Sequence, residues 1–445
     1  MRQLTTVSQW EVIRNRKRIL ANPLPFHSEN FQKYGDTFRV KVGPHQTIIF
    51  TRDPEIVRQV LQKQHKKFKK SSLQTKDLAK YIGHGLLTAE GEHWRTQRRM
   101  IQPAFHKKKL AGLLGTMHKA IREELSGIIE NEEQDVFPLM GDLAFQVVAK
   151  SLFSKTDIRE KMRELQHITE TNQKMLIREM RQPYLVWWFK LSGQLRKHLN
   201  YSEDSRVLLN ELIEDRVRQG GEEDDLLDML LKATYEDGTH MERKQLIDEV
   251  LILFTAGHET TANALSFALF LLARHPEIQE QVYQEVSDNK INDDDYLSWL
   301  SKLNFAQQCI EEAMRLYPPV YVIDRMAKED IELSGYNFKK GSMLLMSVYE
   351  LHRYSAFWKS PKSFQPERFE KEKKKEMGPY YYPFGAGPRM CIGNNFAMYE
   401  MILTISEIVK KFKVSSTYPE VELVPLISLK PKEVRLKFEK RIELE

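Results

Sequence analysis

A mainly α-helical α+β protein is what this sequence predicts, and three observations predict it. The longest periodic segments read as helices, among them residues 245–274 and 394–412. The alternating, strand-like runs are short and few: residues 37–42, 47–51, 343–348 and 434–438. The 445 residues also lack any Gly/Ser-rich or Pro-rich linker, any repeat, and any low-complexity tract beyond short lysine clusters. Residues 1–445 are therefore read as a single domain, although length alone would allow about three.

Thr37 to Val42 and Thr47 to Thr51 alternate apolar and polar residues, and Gly43-Pro44 between them reads as the turn of a strand pair. Asp53-Pro54 opens a helix, with aspartate as the cap and proline at the first helical position. Residues 71–89 have no clean period and are read as containing a loop. The next helix sets Trp94 and Arg98 four apart on one face; taken alone, such a pair is ordinary packing with a cation–π contact. Residues 109–219 read as several amphipathic helices, broken by the aromatic run PYLVWW from Pro183 to Trp188 and followed by an acidic surface turn at residues 222–225.

Residues 245–274 read as one helix of about 30 residues, hence about 45 Å long. Leu253, Ala256, Gly257, Thr260 and Ala264 share one stripe of it, and all but the leucine are small, which leaves room for something flat beside the helix. Gly257 lowers helix propensity by about 1 kcal/mol relative to alanine. A bulge or widened turn is expected there. A later helix carries Glu312 and Arg315 and ends at Tyr317-Pro318-Pro319. Residues 320–327 are extended, and Leu426 to Leu429 form a turn.

Hydrophobic content of 41% and charged content of 29% fit a water-soluble globular chain. Net charge is +6, concentrated in lysine clusters that are solvated faces or docking patches for an acidic partner. Acidic residues are interspersed throughout, which argues against nucleic acid. Two cysteines, Cys309 and Cys391, make no disulfide framework and fit a reducing compartment, hence a cytoplasmic location. The first residues lack the apolar core of a signal peptide. The longest apolar stretch, 251–273, is interrupted by His258, Glu259, Thr260, Thr261 and Asn263, so no membrane anchor is expected.

Chemistry concentrates in the loop from Phe384 to Gly393, FGAGPRMCIG, which runs into the helix at 394–412. The amides and positive dipole end of that helix favour the Cys391 thiolate, and the glycines let backbone lie against a flat partner. A thiolate beside a flat partner points to haem iron with an axial sulfur ligand.

Phe384, Gly387, Arg389, Cys391 and Gly393 match FxxGxRxCxG, and the chain thereby resembles the cytochrome P-450 family. The resemblance extends to WxxxR at Trp94 and Arg98, to [AG]-G-x-[DE]-T-[TS] at Ala256 to Thr261, and to ExxR at Glu312 and Arg315 with a PERF partner at Arg368. It implies a helical triangular prism with small sheets holding haem b. Cys391 would be the iron ligand, with Phe384, Gly387, Arg389, Ala256 and Gly257 around the cofactor and Trp94, Arg98 and Arg325 on its propionates. Glu259 and Thr260 would deliver protons during O–O cleavage. Glu312, Arg315 and Arg368 would hold the cysteine loop. His258 falls at the variable position of its motif and is not read as a ligand. Residues 183–188 would be a mobile lid over the substrate pocket, or else core packing between two helices.

The implied activity is O2-dependent hydroxylation or oxidative O-demethylation of a small organic substrate by a monomeric, soluble bacterial-type enzyme. A fatty acid and a methoxylated sugar are the candidate substrates. Electrons would come from NAD(P)H through a separate ferredoxin and ferredoxin reductase, with Arg95, Arg99 and residues 107–109 as docking candidates. A peroxide-using or isomerising haem-thiolate enzyme, and a non-catalytic haem sensor, are the other classes.

Overall fold

The computed structural model describes residues 2–42, 47–154, 159–220, 223–291 and 295–441. The fold is mostly helical with small sheets. The expected turn at Gly43-Pro44 and Glu222 of the expected acidic turn lie outside the described residues. The chain is organised as two compact units, each assembled from separate stretches of sequence. One comprises Met1–Ser71, Phe305–Cys391 and Tyr418–Val434, and the other Ser72–Asn304, Ile392–Thr417 and Arg435–Glu445.

The first unit is built on a six-stranded sheet. Its strand order is Thr6–Val7, Thr37–Lys41, Thr47–Thr51, Met343–Ser347, Val322–Ala327 and Phe68–Lys69. The two alternating runs pair antiparallel with Phe38 opposite Phe50, and those rings stack at 5.5 Å. Period-2 alternation puts Phe38, Val40 and Phe50 into a core with Phe26 and Phe31. Asp53 caps the next helix by accepting from the Glu55 and Ile56 amides, with Pro54 at its first position. The turn at 426–428 joins the two-stranded ladder of Leu423–Pro425 and Leu429–Pro431.

The second unit is helical around Arg243–Arg274, a 32-residue helix. The helix Val136–Phe153 packs along it, with Phe145 and Phe153 against Phe254 at 5.5 and 5.9 Å. Val136–Phe153 is, among the described residues, the one helix long and apolar enough to cross a membrane, and 67% of it is buried inside the protein. Gly257 permits this packing: a Cβ there would come within 3.1 Å of Val148 Cγ2. The expected bulge is not at Gly257, where the helix stays α-helical. Thr255, Thr260 and Thr261 instead donate to the carbonyls four residues back. Widened π-type turns occur at Gln59–Lys63 and Leu73–Leu78, the latter inside the stretch read as containing a loop. Asp225 belongs to the interior rather than to a surface turn. It caps Leu226–Lys232 and pairs with Arg216 at 2.7 Å, both side chains buried.

Candidate active site

In the first unit, the Cys391 loop is a closed turn. The Cys391 amide donates to the Phe384 carbonyl at 2.9 Å, and Met390 N donates to Gly387 O at 3.1 Å. Gly387 has φ +69°, and a Cβ on it would lie 2.0 Å from the Leu61 carbonyl oxygen. Glycine is required here because the backbone of Gln59–Lys63 comes so close, a protein contact rather than the flat ligand face anticipated from composition. Cys391 is exposed and Cys309 is buried. Phe384 and Arg389 are half-buried. The helix Asn394–Lys411 begins at Gly393 with no side chain capping its first amides.

Glu312, Arg315 and Arg368 come together as expected. Arg315 donates from Nε and Nη2 to the two Glu312 oxygens at 2.6 and 2.7 Å, with both side chains fully buried. Arg368 Nε stands 3.4 Å from Glu312 Oε1. The remaining Arg315 donors reach the carbonyls of His352, Pro361 and Ser363 at 2.8–3.1 Å. The Gln365 amide donates to Glu312. A buried pair is tolerable only when its leftover donors and acceptors are satisfied, as these are. Burial lowers the Arg368 pKa, partly opposed by the Glu312 charge.

A residue that sequence reasoning missed extends this network towards the cysteine. His352 is fully buried and accepts the Tyr382 amide at Nε2, 2.9 Å away and two residues before Phe384. Burial, then the charges of Arg315 and Arg353, pull its pKa down to about 3. The ring is thus neutral with its proton on Nδ1, the tautomer an acceptor at Nε2 requires. Nothing in the local pattern LHRY marks this histidine. Arg325 lies half-buried on Val322–Ala327, its Nη1 donating to the Asp324 carbonyl.

In the second unit, Trp94 and Arg98 lie half-buried on the helix Gly91–Ile101. Arg98 Nε donates to Gln102 at 3.2 Å. The neighbouring charges are answered on the surface, Arg95 by Glu92 and Arg99 by Glu236, both at 2.6 Å. Lys107, Lys108 and Lys109 are exposed.

The long helix offers a window. From Leu246 to Ala273 every side chain is buried except those of Leu253, Ala256, Gly257, Glu259 and Thr260. Four of these form the small-residue stripe seen in the sequence; its fifth member, Ala264, is buried. Such a gap in an otherwise covered helix suits a flat apolar group laid against it. Thr260 Oγ1 donates to Ala256 O at 2.8 Å, so its proton is held on the helix until the hydroxyl rotates. His258 sits in the core instead, bonded at Nδ1 to Phe254 O and edge-on to Phe145.

One more buried group went unread. Glu400, on Asn394–Lys411, is fully buried, and among the described residues neither of its oxygens has a hydrogen-bond partner. Burial raises its pKa well above 4.5. The only sequence signal is its apolar surroundings, since Phe396 to Met398 and Met401 to Leu403 flank Glu400 on both sides.

Comparison with known proteins gives the same reading. The solved haem domain of cytochrome P450DA superposes with a TM-score of 0.86 at 23% identity, covering 99% of both chains, which fixes the fold. The Cytochrome P450 family model matches residues 9–438. The cyclooctat-9-en-7-ol 5-monooxygenase of Streptomyces melanosporofaciens is 30% identical over 394 residues, 88% of this chain and 85% of its own. The pentalenene oxygenase of Streptomyces avermitilis is 27% identical over 421 residues, 93% and 92%. The chain belongs to the cytochrome P450 family and is a haem-dependent monooxygenase.

Proposed function

We propose that Cys391 is the axial thiolate and that the chain hydroxylates or O-demethylates a small organic substrate. Both units act in this reading as one catalytic domain, a cytoplasmic monomer. The carrying observation is the accessible Cys391 thiol on a loop closed by the Cys391 amide on Phe384 O and held on its N-terminal side, at Tyr382, by the Glu312–Arg315–His352 network. Haem bound there supplies reductive activation of O2, with the sulfur donating electron density.

The chain's own residues would do the rest. Leu253, Ala256 and Gly257 would offer the cofactor a small apolar face, and Phe384, Gly387 and Arg389 would help Cys391 to hold it. Trp94, Arg98 and Arg325 would donate to its propionates. Glu259 takes protons from solvent and Thr260 Oγ1 passes them on, once it leaves the Ala256 carbonyl. Electrons come from NAD(P)H through a separate ferredoxin and its reductase, and the exposed Lys107, Lys108 and Lys109 suit an acidic donor.

The test is the reduced, carbon-monoxide-bound spectrum of wild type beside Cys391→Ser. A strongly red-shifted Soret band lost in the variant is expected; a band typical of histidine-ligated haem in the wild type overturns the assignment. Substrate class is tested by spectral titration with fatty acids, with methoxylated sugars, and with cyclooctat-9-en-7-ol and pentalenene, the compounds named for the two relatives. The class that perturbs the Soret band at the lowest concentration is the substrate class.

A further inference from the structure

His352 stands between the buried Glu312–Arg315 pair and the Cys391 loop. It follows the short helix Val348–Leu351, where its amide donates to Val348 O at 2.9 Å. Its carbonyl accepts Arg315 Nη1 at 2.9 Å. Its ring lies 5.0 Å from that of Tyr381, tilted by 33°. Tyr381 is itself tied back to the helix of the ion pair, its hydroxyl donating to the Glu311 carbonyl at 2.8 Å. Backbone and ring face are thus both held from Asn304–Leu316, the helix that carries Glu312 and Arg315. The ring edge is turned the other way, where Nε2 accepts the Tyr382 amide at 2.9 Å.

That amide opens a relay of backbone bonds that ends on the cysteine. Tyr382 to Gly385 is a turn: Gly385 N donates to Tyr382 O at 3.2 Å, with Pro383 fixing φ at the first inner position. The Gly385 N–H and the Phe384 carbonyl belong to one planar peptide unit, so the turn also aims that carbonyl. The Cys391 amide donates to it at 2.9 Å. Bonds therefore run from Arg315 through His352, Tyr382 and the Phe384–Gly385 peptide to Cys391, each setting the direction of the next. The Tyr382 amide meets His352 in the interior, so it needs an acceptor from within the protein. A neutral imidazole supplies one acceptor nitrogen on a rigid ring. Without it a buried N–H is orphaned, and the turn relieves that cost by shifting, which moves the Phe384 carbonyl and with it the Cys391 backbone.

We propose, on the assignment of Cys391 as axial ligand, that His352 is the positioning residue for its thiolate. The acceptor at Nε2, not the bulk of the ring, holds the cysteine backbone where the sulfur stays on iron. His352 acts through the Tyr382–Gly385 turn rather than on the sulfur itself.

The test compares the haem-loaded wild type with His352→Leu, which keeps bulk and loses the acceptor, and His352→Gln, whose side-chain carbonyl can take the place of Nε2. The readouts are the reduced, carbon-monoxide-bound spectrum, the reduction potential, and hydrogen exchange of the Tyr382 and Cys391 amides. Wild type and His352→Gln are expected to hold the red-shifted Soret band equally long. His352→Leu should lose that band about tenfold faster, the factor expected for one orphaned buried amide. It should also raise the reduction potential, as loss of an electron-donating thiolate does, and exchange both amides faster. Ile121→Ala, a cavity in the buried core of the other unit, is the control: it should unfold at lower denaturant and keep band and potential. A His352→Leu protein that matches wild type in band and potential overturns the proposal, and so does an Ile121→Ala protein that loses the band as fast as His352→Leu. Should His352→Leu fail to take up haem, His352→Gln decides: a wild-type band and potential support the acceptor role, and their loss overturns it. A wild type without the red-shifted band removes the Cys391 assignment and the role of His352 with it, whereas an unaffected His352→Leu beside a normal wild type removes only the latter.

Discussion

Two glutamate–arginine pairs in this molecule share residue types, spacing and distance. Glu312 and Arg315 stand three apart on one helix with a closest N···O distance of 2.6 Å; so do Glu92 and Arg95 on another. The first pair has 0% of either side chain exposed, the second 70% and 54%. Coulomb attraction grows as the effective dielectric falls, but so does the cost of removing charge from water. In the buried pair that cost is offset by carbonyls of His352, Pro361 and Ser363 and the amide of Gln365. Water hydrates the exposed pair, so little depends on it. Identical local chemistry thus builds a structural keystone in one place and a surface ornament in the other.

The sharpest way to break this comparison is to make the same change in both. Glu312→Gln strands the Arg315 charge in the interior and should cost about 3–5 kcal/mol in denaturant unfolding. A cost below about 1 kcal/mol would mean that burial does not separate the pairs. Gly387→Ala probes the loop the buried network serves. It needs a left-handed alanine and must displace the Leu61 carbonyl, so about 2–4 kcal/mol is expected from the same measurement.

Glu400 sharpens the comparison as a buried carboxyl without an arginine. Burial holds its pKa in the folded chain well above the 4.5 of the unfolded chain. Its contribution to stability is therefore complete below that value and falls by about 1.4 kcal/mol per pH unit as pH rises towards the folded pKa. Glu400→Gln cannot ionise, so its stability relative to wild type should climb with pH by that slope; a flat difference would mean that Glu400 finds a cation. The smallest effect belongs to Glu92→Gln, within about 0.5 kcal/mol at any pH where the pair is charged, and reduced further by salt.

Much of the site could be read from the chain. Spacing alone placed Trp94 with Arg98 and Glu312 with Arg315 on single helix faces, and of the stripe Leu253, Ala256, Gly257, Thr260 and Ala264 all but the buried Ala264 proved accessible. What stayed hidden depends on distant segments. His352 reaches the cysteine loop only because Tyr382 is folded onto it. The missing bulge at Gly257 reflects Val148, more than 100 residues away, which makes glycine useful without distorting the helix. The aromatic run reads equally as a lid or as core packing, because period and composition do not say which side of a short helix finds neighbours. Phe189 turned inward, and Trp187 and Trp188 did not.

The sequence by itself determined the family and the mostly helical class, and it carries the motif spacings of the Cys391 loop, the Glu259-Thr260 pair and ExxR. These are set by bonded neighbours and by helical period, which act over a few residues. Only the tertiary structure decided burial: which of two equal ion pairs is desolvated, that Cys391 is exposed, that the Glu400 carboxyl is enclosed, and that a tryptophan pair faces outward. Burial depends on segments far apart in sequence, and the free energy of a charge or an aromatic ring depends more on whether water reaches it than on the residues beside it in the chain.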